Sequence, residues 1–337
     1  MVDNSQIARV IAEHKERYIL SCVDEEFEAE ITGNMRFSAV SREDFPAVGD
    51  WVEFIRYDQD FAIINKIMPR TSAIKRKAVG QFGEIQIIAA NVDYAFIIQA
   101  VDRDFNINRL ERYLTICYSS GVEPIIVLTK TDLIDSQKLN EICSAIITRL
   151  KNVFVLAVSN FTNEGIDTLK SLIETGKTYC LLGSSGVGKS TLLNNLTGRK
   201  VMETSEISSS TEKGRHTTTH RELFTLDNGG FIIDNPGMRE VGIADAGDGI
   251  ENAFESIALY AHDCKFKNCT HTIEIGCAVL GALEEGLIDS KTYENYLKIE
   301  KEISHFEMTA LEKKKKDKQF GKILKDYNNK DVKGRKN

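Results

Sequence analysis

The chain has only four prolines, a single tryptophan, and no hydrophobic run long enough to cross a bilayer. Its apolar stretches, such as 95–100 and 125–128, are strand-sized, whereas a spanning helix needs about 20 apolar residues. No membrane partner is expected. The first twenty residues lack a basic stretch followed by an apolar one, so they do not read as a secretion signal, and a cytoplasmic location is expected. An excess of positive charge is also missing: 43 Lys and Arg stand against 50 Asp and Glu, a formal net charge of −7. Indiscriminate binding of nucleic acid is therefore disfavoured. Seven cysteines in 337 residues do not make a disulfide framework. In a reducing compartment they are thiols, and clustered ones point to metal.

What is present changes character along the chain, which is too long for one ordinary domain. Up to about Arg70, five short β segments at 8–11, 18–22, 27–31, 51–55 and 62–67 alternate with turn signals. They predict a small barrel, OB-type or SH3-like, with Trp51 and the other aromatics in its core. From about Asn91, apolar runs at 92–101, 124–128, 153–158, 179–182 and 230–233 alternate with amphipathic helices at 108–119, 139–150, 166–173 and 190–196. That rhythm predicts a doubly wound, mostly parallel sheet covered on both faces. Beyond 242 strands disappear, and helices are expected at 278–285 and 290–306. The stretch 312–337 carries eleven Lys/Arg against four Asp/Glu. Cys22, Cys117, Cys143 and Cys180 are scattered on strand and helix patterns and read as core.

Gly183-Ser184-Ser185-Gly186-Val187-Gly188-Lys189-Ser190 matches G-x-x-x-x-G-K-[ST], between a predicted strand and a predicted helix. Glycines let successive backbone N–H groups curl around phosphates, and the helix N-terminus adds its dipole. Lys189 is expected on the β/γ-phosphates and Ser190 on Mg²⁺, with Thr191 completing the phosphate-binding set. Asp234-Asn235-Pro236-Gly237 ends another strand as D-x-x-G. Asp234 is a candidate for Mg²⁺ and the Gly237 N–H for the γ-phosphate. Thr129-Lys130-Thr131-Asp132 resembles the [NT]-K-x-D guanine motif. The carboxylate of Asp132 can accept from both N1–H and the 2-amino group of guanine, a donor pair adenine lacks. Lys130 is expected along the base plane. Val158-Ser159-Asn160 resembles the loop that offers an amide N–H to guanine O6. Finally, Cys264-x₄-Cys269-x-His271-x₅-Cys277 places three thiols and an imidazole within fourteen residues. That fills a tetrahedral zinc shell with no open position, so the site is structural.

The motifs occur in the order TKTD, VSN, GSSGVGKS, GRHTTTH, DNPG, with the base motifs ahead of the phosphate loop. This is a circular permutation of the usual order. With an N-terminal barrel and a Cys/His module, the chain resembles the circularly permuted, ribosome small-subunit-dependent GTPases (the RsgA/YjeQ family). Val48-Gly49-Asp50-Trp51-Val52 and the connector 69–77 add to the likeness. The resemblance implies a multidomain α/β fold: an OB-type barrel over 1–70, a permuted P-loop GTPase domain over 71–242, and a zinc-binding helical domain with a basic tail over 243–337. It implies GTP/GDP, Mg²⁺ and one structural Zn²⁺, and it favours the four zinc ligands above over His262.

It further implies that Gly214–His220 is switch I, with Thr218 on Mg²⁺ and Thr217 or Thr219 as alternatives. Met238 stands where many small GTPases carry a water-orienting glutamine, so intrinsic hydrolysis is expected to be slow. His216 is then the catalytic candidate, beside Lys189, Thr218 and Gly237, with His220 a weaker competitor. The implied function is a monomeric switch on the 30S subunit and its 16S rRNA, stimulated by that particle, in late maturation. Arg70, Lys75, Arg76, Lys77, Lys265, Lys267 and the Lys313–Lys318 run are candidate phosphate contacts. The competing readings are a zinc- and OB-containing RNA- or protein-binding module in which nucleotide is only structural, and a GTPase acting on another RNA particle.

Overall fold

The computed structural model describes residues 6–14, 17–23, 25–77, 85–102, 105–201, 221–235, 243 and 249–307. Thr217, Thr218, Thr219, His216, His220, Gly237, Met238 and the 313–318 lysine run lie outside the described residues.

Five strands build the N-terminal barrel: β1 (Gln6–His14), β2 (Arg17–Cys22), β3 (Glu25–Ile31), β4 (Trp51–Arg56) and β5 (Phe61–Ile67). A short helix, α1 (Gly33–Ser38), follows β3. The strands run β1-β2-β3-β5-β4, and β4 returns to β1. The β3–β5 pair is parallel and the others are antiparallel. This closed order is that of an OB-type barrel and removes the SH3-like alternative. Ala8, Val10, Leu20, Ala29, Val52, Phe54 and Ile64 fill the interior. With Val52 and Phe54 inward, the period-2 alternation turns Trp51 outward. It is 43% exposed, contrary to the expectation that it is core. The Arg9 guanidinium lies 5.3 Å from the Trp51 ring and 4.7 Å from the Phe231 ring, and it donates to Thr178 Oγ1 at 2.7 Å. It thus rivets the barrel to the central sheet.

A hairpin, β6 (Ala73–Lys77) and β7 (Ile85–Ala90), joins the two units. Arg70, a candidate phosphate contact, is instead consumed by the fold. Its guanidinium pairs with both carboxylate oxygens of the fully buried Asp50 at 2.8 and 2.7 Å, and donates to the carbonyls of Glu43 and Phe45. Lys75 pairs with Glu43.

The central unit comprises β8 (Tyr94–Ala100), α2 (Ile107–Ser119), β9 (Glu123–Thr129), α3 (Ser136–Arg149), β10 (Phe154–Ala157), α4 (Ile166–Ser171), β11 (Thr178–Leu182), α5 (Lys189–Thr197), β12 (Glu222–Thr225) and β13 (Phe231–Asp234). β10-β9-β8-β11-β13 are parallel neighbours, and β12 adds antiparallel to β13. One face is covered by α2 and α3 through Leu110, Tyr113, Leu114, Ile142 and Ile146. The other is covered by α4 and α5 through Ile166, Leu169, Leu192, Leu193 and Leu196. Strand β12 also touches β1 at Glu222 and Ala12, so barrel and sheet are continuous.

The C-terminal helices are α6 (Gly249–Ala253), α7 (Glu255–Ala261), α8 (Ala278–Glu284) and α9 (Ser290–Glu307). Phe254, Ile257, Val279 and Ile299 join the core on the α2 side. A buried polar cluster ties three helices together there. Glu111 takes Arg149 at 2.7 and 2.8 Å and Asn295 at 2.5 Å. Among the described residues no helix is long and apolar enough to cross a membrane.

Candidate nucleotide site and metal centre

From β8 the chain moves through β9 to β10 on one side, and from β11 to β13 on the other. The crevice outside the carboxyl ends of β8 and β11 is therefore the topological switch point, where open α/β sheets bind ligands. The loop 183–188 sits there. A Cβ on Gly183 would lie 2.4 Å from the Ile98 carbonyl oxygen, so glycine is needed for β11 to pass β8 this closely. Lys189 opens α5 and is buried. Its ammonium donates to the Gly183 and Ser184 carbonyls at 2.8 and 2.7 Å. Burial pushes its pKa down to about 8, against the pull of Asp234. Asp234 ends β13 at 2% exposure. Burial pushes its pKa up to about 6, with Lys189 opposing. Its Oδ1 has no hydrogen-bond partner among the described residues. An orphaned carboxylate oxygen at the strand end, facing the charge of Lys189, fits a hydrated divalent cation.

The guanine-motif residues are wired to this loop. Thr129 is buried and its hydroxyl donates to the Val187 carbonyl at 2.6 Å. Lys130 takes a left-handed conformation, φ 61°, and pairs with Asp102 at 2.8 Å. The Ser159 hydroxyl accepts from the Phe161 and Thr162 N–H groups and donates to Asp132 Oδ1 at 2.6 Å. Asn160 reaches the Gly188 carbonyl at 3.1 Å. Thr129, Asp132, Ser159 and Asn160 are thus gathered against Val187 and Gly188 of the loop. Sequence reasoning missed Asp102 and Asn195, which hold Lys130 and Asn160 in place. The position of Asp102 just past a central strand was the available signal for the first.

The Cys/His cluster is assembled. One ligand atom from each of Cys264, Cys269, His271 and Cys277 lies within 4.8 Å of the others, and His262 is not among them. The Cys264–Cys277 sulfurs are 3.8 Å apart, and His271 Nδ1 is 3.6 and 3.4 Å from them. Zn–S of about 2.3 Å and Zn–N of about 2.0 Å at tetrahedral angles require edges of about 3.8 and 3.5 Å. The donors therefore fit zinc. Burial raises the Cys264 pKa, but the N–H groups of Val279 and Ala278 outweigh it and bring the thiol below its ordinary value. Leu280 N–H donates to Cys277 Sγ at the start of α8. Glu274 gathers the N–H groups of Thr270, Thr272 and Ile273, and Tyr293 donates to the His271 carbonyl. These contacts hold the ligand loop in shape.

A phosphate loop at the switch point, preceded in the chain by the guanine motif that braces it, defines a circularly permuted P-loop GTPase. The chain belongs to the RsgA GTPase family, whose model matches residues 67–244. It is a GTP-hydrolysing enzyme. The small ribosomal subunit biogenesis GTPase RsgA 1 of Bacteroides thetaiotaomicron is 42% identical over 94% of this chain and 89% of its own length. The RsgA 2 protein of Lactiplantibacillus plantarum is 41% identical over 95% and 90%. The YjeQ structure from Thermotoga maritima shares the fold, with a TM-score of 0.65 and 24% identity over 89% of this chain and 98% of that one. YloQ, described as a circularly permuted GTPase, gives 0.63 and 24% over 91% and 98%. An ABC transporter model also matches, over 166–337. That range holds the β11–loop–α5 unit shared by P-loop NTPases and leaves out the guanine motifs at 129–132 and 158–160.

Proposed function

We propose that this GTPase is a switch on the small ribosomal subunit. GTP favours docking on the 30S particle, the particle stimulates hydrolysis, and GDP favours release, in late 30S maturation. The relatives from Bacteroides thetaiotaomicron and Lactiplantibacillus plantarum carry small-subunit biogenesis in their names. The protein acts in the cytoplasm as a monomer, divided into a barrel (1–70), a GTPase domain (71–242) and a zinc module (243–337). It contacts 16S rRNA through limited basic patches, as its net charge of −7 disfavours wholesale coating of RNA.

The observation that carries the reading is the hydrogen bonding of the base motifs to the phosphate loop through Thr129 and Val187. Asp132 accepts from guanine N1–H and the 2-amino group, and Lys130 lies along the base. The 183–188 N–H groups and α5 cradle the phosphates, and Lys189 leaves the Gly183 and Ser184 carbonyls to meet them. Ser190, Thr218 and Asp234 hold Mg²⁺, which neutralises charge on the β- and γ-phosphates. The Gly237 N–H holds the γ-phosphate, and His216 orients the water that Met238 cannot. Ile243, the first described residue beyond Asn235, donates its N–H to Glu302 of α9 at 3.2 Å. A rearrangement of the DNPG segment thereby reaches the zinc module.

The test is GTP hydrolysis at saturating nucleotide with and without 30S subunits, using ATP and 50S subunits as controls. Stimulation by 30S alone, with GTP and not ATP, is expected. No stimulation by 30S refutes the switch.

A further inference from the structure

We propose that Asn160 is a positioning residue whose side chain serves the phosphate half of the nucleotide, although it sits in the base-recognition loop. This rests on the guanine-nucleotide reading of the site. Asn160 Nδ2 donates to the Gly188 carbonyl at 3.1 Å. Asn195, nearly two turns into α5, donates its own amide to Asn160 Oδ1 and to the Asn160 carbonyl, each at 3.3 Å. With Oδ1 taken as an acceptor, the Asn160 amide is fixed with its NH₂ group towards Gly188.

The Gly188 carbonyl also accepts the Leu192 N–H at 2.9 Å, the first rung of α5. A carbonyl has two lone pairs, so both donors are accommodated. The peptide unit is planar and trans, so the Gly188 C=O and the Lys189 N–H point in opposite directions. A donor that fixes the carbonyl therefore fixes the aim of that N–H, which opens the helix end facing the phosphates. Thr129 does the same one residue earlier, where its bond to the Val187 carbonyl sets the Gly188 N–H. Two consecutive N–H groups of the cradle are thus aimed by side chains from the two base loops. Gly188 itself sits at φ 93°, and a Cβ there would come within 2.9 Å of Asn160 Nδ2. The approach is therefore close as well as directional.

Neighbouring residues divide the work. Ser159 bonds Asp132 and serves the base. Asn160 bonds Gly188 and serves the phosphates. The test compares the affinities of fluorescent mant-GDP and of guanosine, the latter by displacement, in the full chain and its variants. Asn160→Ala is expected to weaken GDP about 3- to 10-fold, the loss of one neutral hydrogen bond, and to leave guanosine unchanged. Asn160→Asp, which has no donor and adds negative charge near the phosphates, weakens GDP at least as much. Ser159→Ala weakens both ligands alike.

Equal losses for GDP and guanosine in Asn160→Ala overturn the proposal, and so does no loss in either. Should Asn160→Ala fail to fold, Asn195→Ala frees the amide to turn. It is expected to show a smaller loss with the same bias towards GDP, and an unbiased result again overturns the proposal. Failure of the unaltered protein to bind mant-GDP would instead sink the guanine-nucleotide reading itself.

Discussion

Replacing Asp132 by Asn exchanges the base specificity in a direction the structure dictates. The Ser159 hydroxyl already accepts two backbone N–H groups, from Phe161 at 3.2 Å and Thr162 at 3.0 Å, so its proton goes to Asp132 Oδ1 at 2.6 Å. In Asp132→Asn the atom facing Ser159 must remain an oxygen. The new NH₂ group then occupies the place of Oδ2 and faces the base. Against guanine it meets the 2-amino group, donor to donor. One charge-assisted bond, worth about 1.5–3 kcal/mol, is lost, and a donor is left unpaired. GTP affinity is expected to fall by about 100-fold or more. Xanthine carries a carbonyl where guanine carries the amine, so XTP turns the clash into a hydrogen bond. Binding of mant-GDP and mant-XDP to both proteins reads the exchange. If Asp132→Asn still prefers GDP over XDP, Asp132 is not the guanine reader.

The zinc module should contain one Zn²⁺ per chain by elemental analysis. Chelation should lower the Tm by unfolding the loop 264–277, since metal bound at about 100 times its Kd stabilises by roughly 2.7 kcal/mol; a Tm unmoved by chelation counts against a structural metal. In the nucleotide-free protein, burial raises the Asp234 pKa from 3.8 to about 6, so its charged form destabilises the fold and stability should increase as pH falls through that window. Lys189 is lowered from 10.5 to about 8, so its contribution should improve as pH rises above 8. Urea unfolding across pH 5–9, with Asp234→Asn as reference, reads the acid-side gain, which must vanish in the variant. Glu302→Gln should leave GDP affinity intact while reducing the difference in 30S affinity between the GTP-analogue and GDP forms; an unchanged difference removes Glu302 from the coupling route.

Much of the fold was legible because the patterns are local. Alternation placed all five barrel strands, and the runs at 92–101, 124–128 and 179–182 announced a parallel core. The register was not legible: OB and SH3 barrels share the alternation, and the parallel β3–β5 pair that separates them is a long-range fact. The β6–β7 hairpin escaped because β6 reads Ala-Ile-Lys-Arg-Lys, with more charge than apolar surface. Trp51 and Arg70 were misjudged for one reason. Residue type suggested core for the first and surface for the second, while the alternation of β4 and the buried Asp50 decided otherwise. At the site, motif spacing singled out the 183–190 loop, the 129–132 stretch that bonds to it, and the Cys/His cluster that the structure gathers. It could not show that Asn160 reaches Gly188, 28 positions along the chain.

The permuted order gives these contacts a common logic. Asp234 ends β13, facing the charge of Lys189, and Ile243, nine positions on, donates its N–H to Glu302 of α9. The zinc module does not hang from this segment alone. It is bolted to α2 and α3 by Glu111, Arg149 and Asn295, and by Arg112 paired with Glu302 at 3.0 and 2.6 Å. Helix α2 lies between β8 and β9, the strand that delivers the guanine motif. The module therefore takes its footing on α2, and Glu302 receives both the Arg112 guanidinium and the Ile243 N–H. A pull on Ile243 acts against a platform held by a buried ion pair, where losing one partner costs about 3–5 kcal/mol. Such a platform resists deformation, so a pull at Ile243 falls on α9 and α2 together through the Arg112–Glu302 pair.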